Sequence, residues 1–133
     1  MDWGQKRIGL ALSDPTQTLA QPLDTLTRRA GRRFPLRTFR PHVETYQPVG
    51  VLVGLPLEPG GGEGAAAQSA RELGELIARS TGIPVVYLDE RMTTGRALRA
   101  VGEMGGKTRG REGEVDQLAA TVLLQAFLDA RRK

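Results

Sequence analysis

The chain has 133 residues, enough for one domain with a buried core and too few for two. A hydrophobic content of 39% suits a globular protein rather than a disordered one, and the lack of cysteine excludes disulfides and thiolate metal sites. The net charge is +4, and no apolar run approaches the roughly 18 residues of a membrane span, so we expect one cytoplasmic domain over residues 1–133.

The first half of the chain predicts strands on either side of a helix. Apolar and polar residues alternate over 6–13, which predicts a strand, and 22–28 predicts a shorter one. Residues 32–47 predict a helix that starts late, near Pro41, because proline suits the first helical position. The continuous apolar run 49–56 is typical of a strand buried on both faces.

The second half predicts alternating helices and strands. We expect helices over 65–82, 93–104 and 115–132, a buried strand over 83–90 and a basic loop over 105–114. Strands followed by strand–helix alternation favour an α/β sheet of mixed strand directions. The apolar residues predicted to face the core are Ala66, Ala70, Leu73 and Ile77 in the second of the chain's helices, and Val115, Leu118, Ala119, Val122 and Ala126 in the last.

Carboxylates occur at three places where chemistry is plausible. Asp2 precedes a tight turn, Asp89 and Glu90 end a predicted strand, and Asp116 lies in the first turns of the last helix. Taken singly, each has an ordinary explanation: a turn former, a surface pair, or an acid favoured by a helix N-terminus. Taken together, they form an all-oxygen set that suits Mg²⁺ or Mn²⁺ and hydrolysis at phosphorus.

The basic residues are clustered rather than spread. Solvated faces and a basic tail would explain any one cluster, but several clusters rich in arginine favour a polyanionic partner, because guanidinium matches phosphate bidentately. Nucleic acid is the first candidate, as structured RNA or branched DNA. The clusters are Arg28, Arg29, Arg32, Arg33, Arg37 and Arg40, then Lys107, Arg109 and Arg111, and finally Arg131, Arg132 and Lys133.

The order of motifs resembles the YqgF/RuvX family of bacterial proteins. "DWGQKRIGLALSD", "VGLPL", "DERMTT" and "VD…AA…LLQ" follow one another in this order, from residue 2 to about residue 128. The resemblance implies an RNase H-like fold, a mixed five-stranded sheet with helices on both sides. The family has been described as a Holliday-junction resolvase and as a nuclease that trims the 5′ end of pre-16S rRNA, which would place it in ribosome biogenesis, with a precursor particle as a partner.

The resemblance also implies site residues. Asp2, Glu90 and Asp116 match the metal-holding catalytic acids, with Asp89 as the competitor of Glu90, because alternation along a strand puts the two on opposite faces. Arg91, Thr93 and Thr94 match the rest of the motif and would orient the acids or contact a phosphate; helix capping is the alternative role for them. The residues that the motifs assign to nucleic-acid contact are Lys6, Arg7, Arg91, Thr93 and Thr94; those assigned from the basic clusters are Arg28, Arg29, Arg32, Arg33, Lys107 and Arg109.

The expected reaction is metal-assisted hydrolysis of a phosphodiester that leaves a 5′-phosphate. One or two Mg²⁺ or Mn²⁺ ions would activate water and stabilise the leaving oxygen, and the basic clusters would hold the backbone without reading sequence. A non-catalytic RNA-binding or assembly protein is one alternative. An actin-like ATPase is another, since "DWGQKRIG" resembles its first phosphate loop, but 133 residues do not supply the second domain that it needs.

The start of the chain is short for this family. The family's first acid ends a central strand of several apolar residues, whereas only Met1 precedes Asp2. Losing about three buried apolar side chains costs on the order of 5–9 kcal/mol, comparable to the roughly 5–15 kcal/mol stability of a domain. We therefore expect a few more apolar residues upstream of Met1 in the natural protein; the alternative is that "MDW" forms a stub strand.

Overall fold

The computed structural model describes residues 1–3, 7–28, 34–90 and 112–131. Within them the chain forms an α/β fold, and the helix predicted over 93–104 lies outside the described residues. None of the described helices is long and apolar enough to cross a bilayer. The elements are β1 (Asp2–Trp3), β2 (Arg7–Ser13), β3 (Ala20–Thr27), α1 (Leu36–Tyr46), β4 (Val51–Leu55), α2 (Ala65–Thr81), β5 (Val85–Asp89) and α3 (Glu112–Arg131).

The described strands form a three-stranded and a two-stranded sheet. β1, β2 and β3 are antiparallel neighbours in that order, and β4 pairs with β5 in parallel. The two sheets meet at Met1: its amino nitrogen donates to the Leu52 carbonyl at 2.8 Å, and its carbonyl accepts from Gly54 N at 3.1 Å. The strand directions are mixed, as the sequence predicts.

The two faces of the strands carry different helices. Ile8 and Leu10 of β2 belong to the main hydrophobic core, together with residues of α1 and α2. Gly9 between them faces α3, since a side chain there would meet the backbone of that helix. Because successive residues of a strand point to opposite faces, α3 and the α1–α2 pair lie on opposite sides of β2. On β4, likewise, Val53 lies in the main core and Gly54 faces α3.

Strand β5 is less buried than its apolar sequence predicts. The strand predicted over 83–90 spans Val85–Asp89, and Val86 is 45% exposed. Among the described residues β5 pairs only with β4, whereas the fully buried β4 pairs with β5 and also bonds to Met1. A continuous apolar sequence is compatible with a central strand and with an edge strand. Only the pairing with neighbouring strands distinguishes the two positions.

Helix α1 begins at Leu36, earlier than the predicted start near Pro41. Pro41 lies inside the helix, where it removes one backbone N–H from the hydrogen-bond ladder. The rings of Phe39 and Phe34 meet edge-on, with 5.1 Å between their centroids. The burial of Phe39 stabilises the first turn despite the missing hydrogen bond. His42 of this helix is half-buried and pairs with Asp24 of β3 at 2.8 Å.

The buried faces of α2 and α3 differ from the predicted ones. In α2, Ala67 rather than Ala66 is buried, and Gly82 ends the helix with φ 74°, as its sequence predicts. Helix α3 begins at Glu112, three residues before the predicted start at 115, and its Leu118 is 48% exposed. The prediction assigned only apolar residues to the buried face, whereas the structure also buries Asp116 and leaves Leu118 exposed. The buried face is therefore rotated about the helix axis relative to the predicted one. The buried residues of α3 are Asp116, Ala119, Ala120, Leu123 and Leu128.

Candidate active site

Three acids are the buried polar residues of the part of the chain that the structure describes. Asp2 is 3% exposed, Glu90 2% and Asp116 4%. Acidic side chains are seldom fully buried, because burial removes the hydration of the charge unless another charge or a cation replaces it. Burial of all three acids therefore excludes ordinary surface roles for them and makes them candidates for a functional site.

The register of β1 places Asp2 on the face that α3 covers. Asp2 lies opposite Gly9 in the antiparallel pair, and directly opposed residues share a face. Gly9 faces Asp116 of α3. The side chain of Asp2 therefore projects into the layer between the strands and α3.

Glu90 lies over the backbone of β4 on the same face. A Cβ on Gly54 would stand 2.5 Å from Glu90 Oε1 and 2.9 Å from Leu123 Cδ2 of α3. Burial lowers the pKa of the Met1 amino group to about 6, and the charges of Asp2 and Glu90 act against that shift. Both carboxylates thus lie close to the junction of β1 and β4.

Asp116 is fixed by β2 through its backbone and its side chain. Gly9 leaves room for the Asp116 carbonyl, and Arg7 Nε donates to Asp116 Oδ2 at 2.5 Å. The start of α3 is held separately, because Thr25 Oγ1 donates to the Gly113 carbonyl at 2.5 Å. These contacts set both the position and the rotation of the helix that carries Asp116.

The chemistry of this donor set fits a hard divalent cation. Mg²⁺ and Mn²⁺ prefer carboxylate oxygens, and Asp2, Glu90 and Asp116 provide these on one buried face. Within the described residues, no group of three acidic or histidine side chains lies close enough together to hold one ion. An ion would therefore have to draw the acids together.

Asp89, the competitor of Glu90, lies on the other side of β5. Asp89 is half-buried. It lies two residues after Tyr87 and four after Val85, so it is on the same face of β5 as these two residues, which pack against the main core. Alternation then directs the next residue, Glu90, toward α3. The position of Glu90 agrees with its assignment to the site; the metal role of each acid stays a prediction.

The residues predicted to contact nucleic acid are described only in part. Arg7 lies at the site, and Arg28 is half-buried just after β3. Arg37 and Arg40 are exposed on α1, on the opposite side of the strands from the three acids. The predictions that lie outside the described residues concern Lys6, Arg29, Arg32, Arg33, Arg91, Thr93, Thr94, Lys107 and Arg109.

Sequence reasoning missed the residues that shape the site. Gly9 and Gly54 each remove a side chain where Asp116 and Glu90 approach the strands, and Thr25 anchors α3. Glycine inside an apolar strand is the signal that could have identified the first two, since it marks close approach of another chain segment. No comparable signal marks Thr25.

Comparison with known proteins gives consistent results. The family model described as "RuvX: Holliday junction resolvase" matches residues 1–130. A protein of Anaeromyxobacter sp. (strain Fw109-5) is 40% identical over 98% of this chain and 95% of its own length. One from Roseiflexus sp. (strain RS-1) is 37% identical over 99% and 93%, and one from Mycobacteroides abscessus is 43% identical over 100% and 81%. Each relative bears the name "Putative pre-16S rRNA nuclease".

Proposed function

Because this chain belongs to the RuvX family and is a nuclease, we propose that it hydrolyses phosphodiester bonds in pre-16S rRNA during maturation of the 5′ end. The relatives' names supply the substrate class. The observation that carries the proposal is the burial of Asp2, Glu90 and Asp116 on one face of the strands. A protein that only bound RNA would gain nothing from three acids buried on one face, because carboxylates repel phosphate and their burial costs hydration.

Asp2, Glu90 and Asp116 would hold Mg²⁺ or Mn²⁺, with Asp89 outside the set. A divalent ion bound there supplies Lewis-acid stabilisation of charge at a phosphate and a more acidic water. The chain's own contributions are positional. α3 and the strands bury the acids, and in the absence of an ion Arg7 holds the Asp116 carboxylate.

We further propose that the described strands belong to one RNase H-like sheet of order β3-β2-β1-β4-β5, with helices on both sides. The support is the bonding of Met1, which donates to Leu52 and accepts from Gly54. Met1 therefore bonds to the residues immediately before and after Val53, which is the hydrogen-bond pattern of two parallel strands. This sheet would make β1, the strand that carries Asp2, the central strand.

The arginine-rich segment 28–40 would hold the nucleic-acid backbone without reading sequence. Arg28, which directly follows β3, is one of its described members. A role in maturation of ribosomal RNA would put the protein in the cytoplasm, on free precursor RNA or on a precursor particle. A four-way DNA junction is the second candidate substrate, favoured by the description of the family model.

The test is cleavage of a 5′-extended pre-16S rRNA fragment and of a four-way DNA junction, each with Mn²⁺ and with Mg²⁺. We expect faster cleavage of the RNA and 5′-phosphate products. Asp2→Asn and Asp116→Asn should lose cleavage, by about 10²–10³-fold if they hold the ion, while RNA binding survives. Glu114→Gln, which changes an exposed acid of the same helix, is the control and should cleave as wild type. Comparable cleavage by all variants would overturn the proposal, and cleavage of the junction alone would transfer it to DNA.

A further inference from the structure

One of the three site acids is already paired with a cation of the protein itself. Arg7 Nε lies 2.5 Å from Asp116 Oδ2, and the two residues are 109 positions apart in the chain. The side chain of Asp116 is 6% exposed, whereas that of Arg7 is 26% exposed. The ion pair therefore joins a buried acid to an arginine side chain that is partly accessible to solvent.

The fold explains why Arg7 reaches this acid. Arg7 and Gly9 are two residues apart on β2, so both point toward α3. Gly9 admits the Asp116 carbonyl, and Arg7 takes the carboxylate. The same short stretch of strand thus fixes Asp116 by its backbone and by its side chain.

We propose that Arg7 is a positioning residue that competes with a divalent cation for Asp116 Oδ2, and that ion binding releases its guanidinium toward the phosphate backbone. The inference rests on the proposed function. An arginine remains charged at every relevant pH, so it both occupies the carboxylate oxygen and repels an arriving cation. Asp2, Glu90 and Asp116 are not drawn into one ion-holding group among the described residues, which agrees with Asp116 being held toward Arg7. The partial solvent exposure of the Arg7 side chain leaves it within reach of an incoming phosphate.

The first test is calorimetric titration of the full chain with Mn²⁺, without nucleic acid. Arg7→Gln, which removes the charge, should lower the Kd for Mn²⁺ by about tenfold. Arg7→Lys keeps the charge and should bind as wild type, as should the control Arg79→Gln, an exposed arginine on α2. An unchanged or higher Kd for Arg7→Gln would overturn the inference.

The second test observes the wild-type Arg7 side chain directly. The Arg7 Nε–H signal in a proton–nitrogen NMR spectrum, assigned by its loss in Arg7→Lys, should shift and exchange faster as Mg²⁺ is added. A signal unmoved at saturating Mg²⁺ means that the ion pair persists, and the inference fails while the nuclease assignment stands. Absence of Mn²⁺ binding by both wild type and Arg7→Gln would remove the proposed metal site and this inference together.

Discussion

Gly9 of β2 and Asp116 of α3 are in backbone contact: a methyl group on Gly9 would collide with the Asp116 carbonyl oxygen. A strand residue and a helix residue approach this closely only where the strand residue has no side chain. The contact brings a buried acid against the strand that pairs with Asp2. Gly9 therefore has a role in the site although it carries no functional group.

We expect Gly9→Ala to destabilise the protein by about 3 kcal/mol or more, because the collision is with backbone that no rotamer change relieves. The measurement is urea unfolding. Gly62→Ala is the control, since nothing lies within 4 Å of a side chain there, and its stability should be close to wild type. If both variants unfold at the same urea concentration, α3 does not pack on β2 as described.

Gly54→Ala should impair activity more than stability. The new methyl group would stand 2.5 Å from Glu90 Oε1 and 2.9 Å from Leu123 Cδ2. Both are side-chain atoms and can move, so we expect a stability loss of only about 1–3 kcal/mol. The displaced carboxylate should reduce kcat by on the order of 10²-fold, the usual effect of misplacing a reacting group. Gly50→Ala, whose methyl group would lie an ordinary 3.7 Å from the Pro84 carbonyl, should retain wild-type kcat; equal kcat for both variants would contradict the placement of Glu90.

Asp14 should make the stability of the turn between β2 and β3 depend on pH. Its pKa is lowered from 3.8 to about 2, first by the Thr16 hydroxyl and then by the backbone N–H groups of Leu19 and Thr18. A carboxyl group whose pKa is lower when folded stabilises the native state above its unfolded pKa. That contribution should be complete above pH 3.8 and disappear as the pH falls toward about 2.

Comparing wild type with Asp14→Asn isolates this contribution. The difference in melting temperature should be largest well above pH 3.8 and should vanish near pH 2. Asparagine keeps one acceptor oxygen for the bonds from Thr18 N and Leu19 N, at 2.7 and 3.0 Å, so the turn is preserved. A difference that stays constant over this pH range would show that the charge of Asp14 contributes nothing.

Replacing the four arginines at 28, 29, 32 and 33 with glutamine should weaken binding to unrelated sequences about equally. The slope of log affinity against log salt should fall by up to about 0.9 for each lost contact to a duplex phosphate. Lysine at the same four positions keeps the charge and should largely keep the slope. The measurement is fluorescence anisotropy at several salt concentrations, and an unchanged slope in the glutamine variant would place the nucleic acid elsewhere.

The local features of the fold could be predicted from the sequence because they depend on near neighbours in the chain. Alternation predicts β2, an unbroken apolar run predicts the buried β4, and Gly82 predicts the end of α2. The start of α1 could not be predicted in this way. Pro41 indicates a boundary locally, but the burial of Phe39 extends the helix back to Leu36. Packing energy outweighs one missing hydrogen bond.

The sequence by itself determined which residue types are available to the site: acids at 2, 90 and 116, in an order that identifies the family. Only the tertiary structure decided that these acids share a buried face, and that Arg7 binds Asp116 instead of projecting freely into solvent. The physical reason is the range of the interactions. Periodicity and turn chemistry act over a few residues, whereas the contacts of Asp2 with β2, of Glu90 with Gly54 and of Arg7 with Asp116 depend on pairing and packing between segments that are distant in the chain.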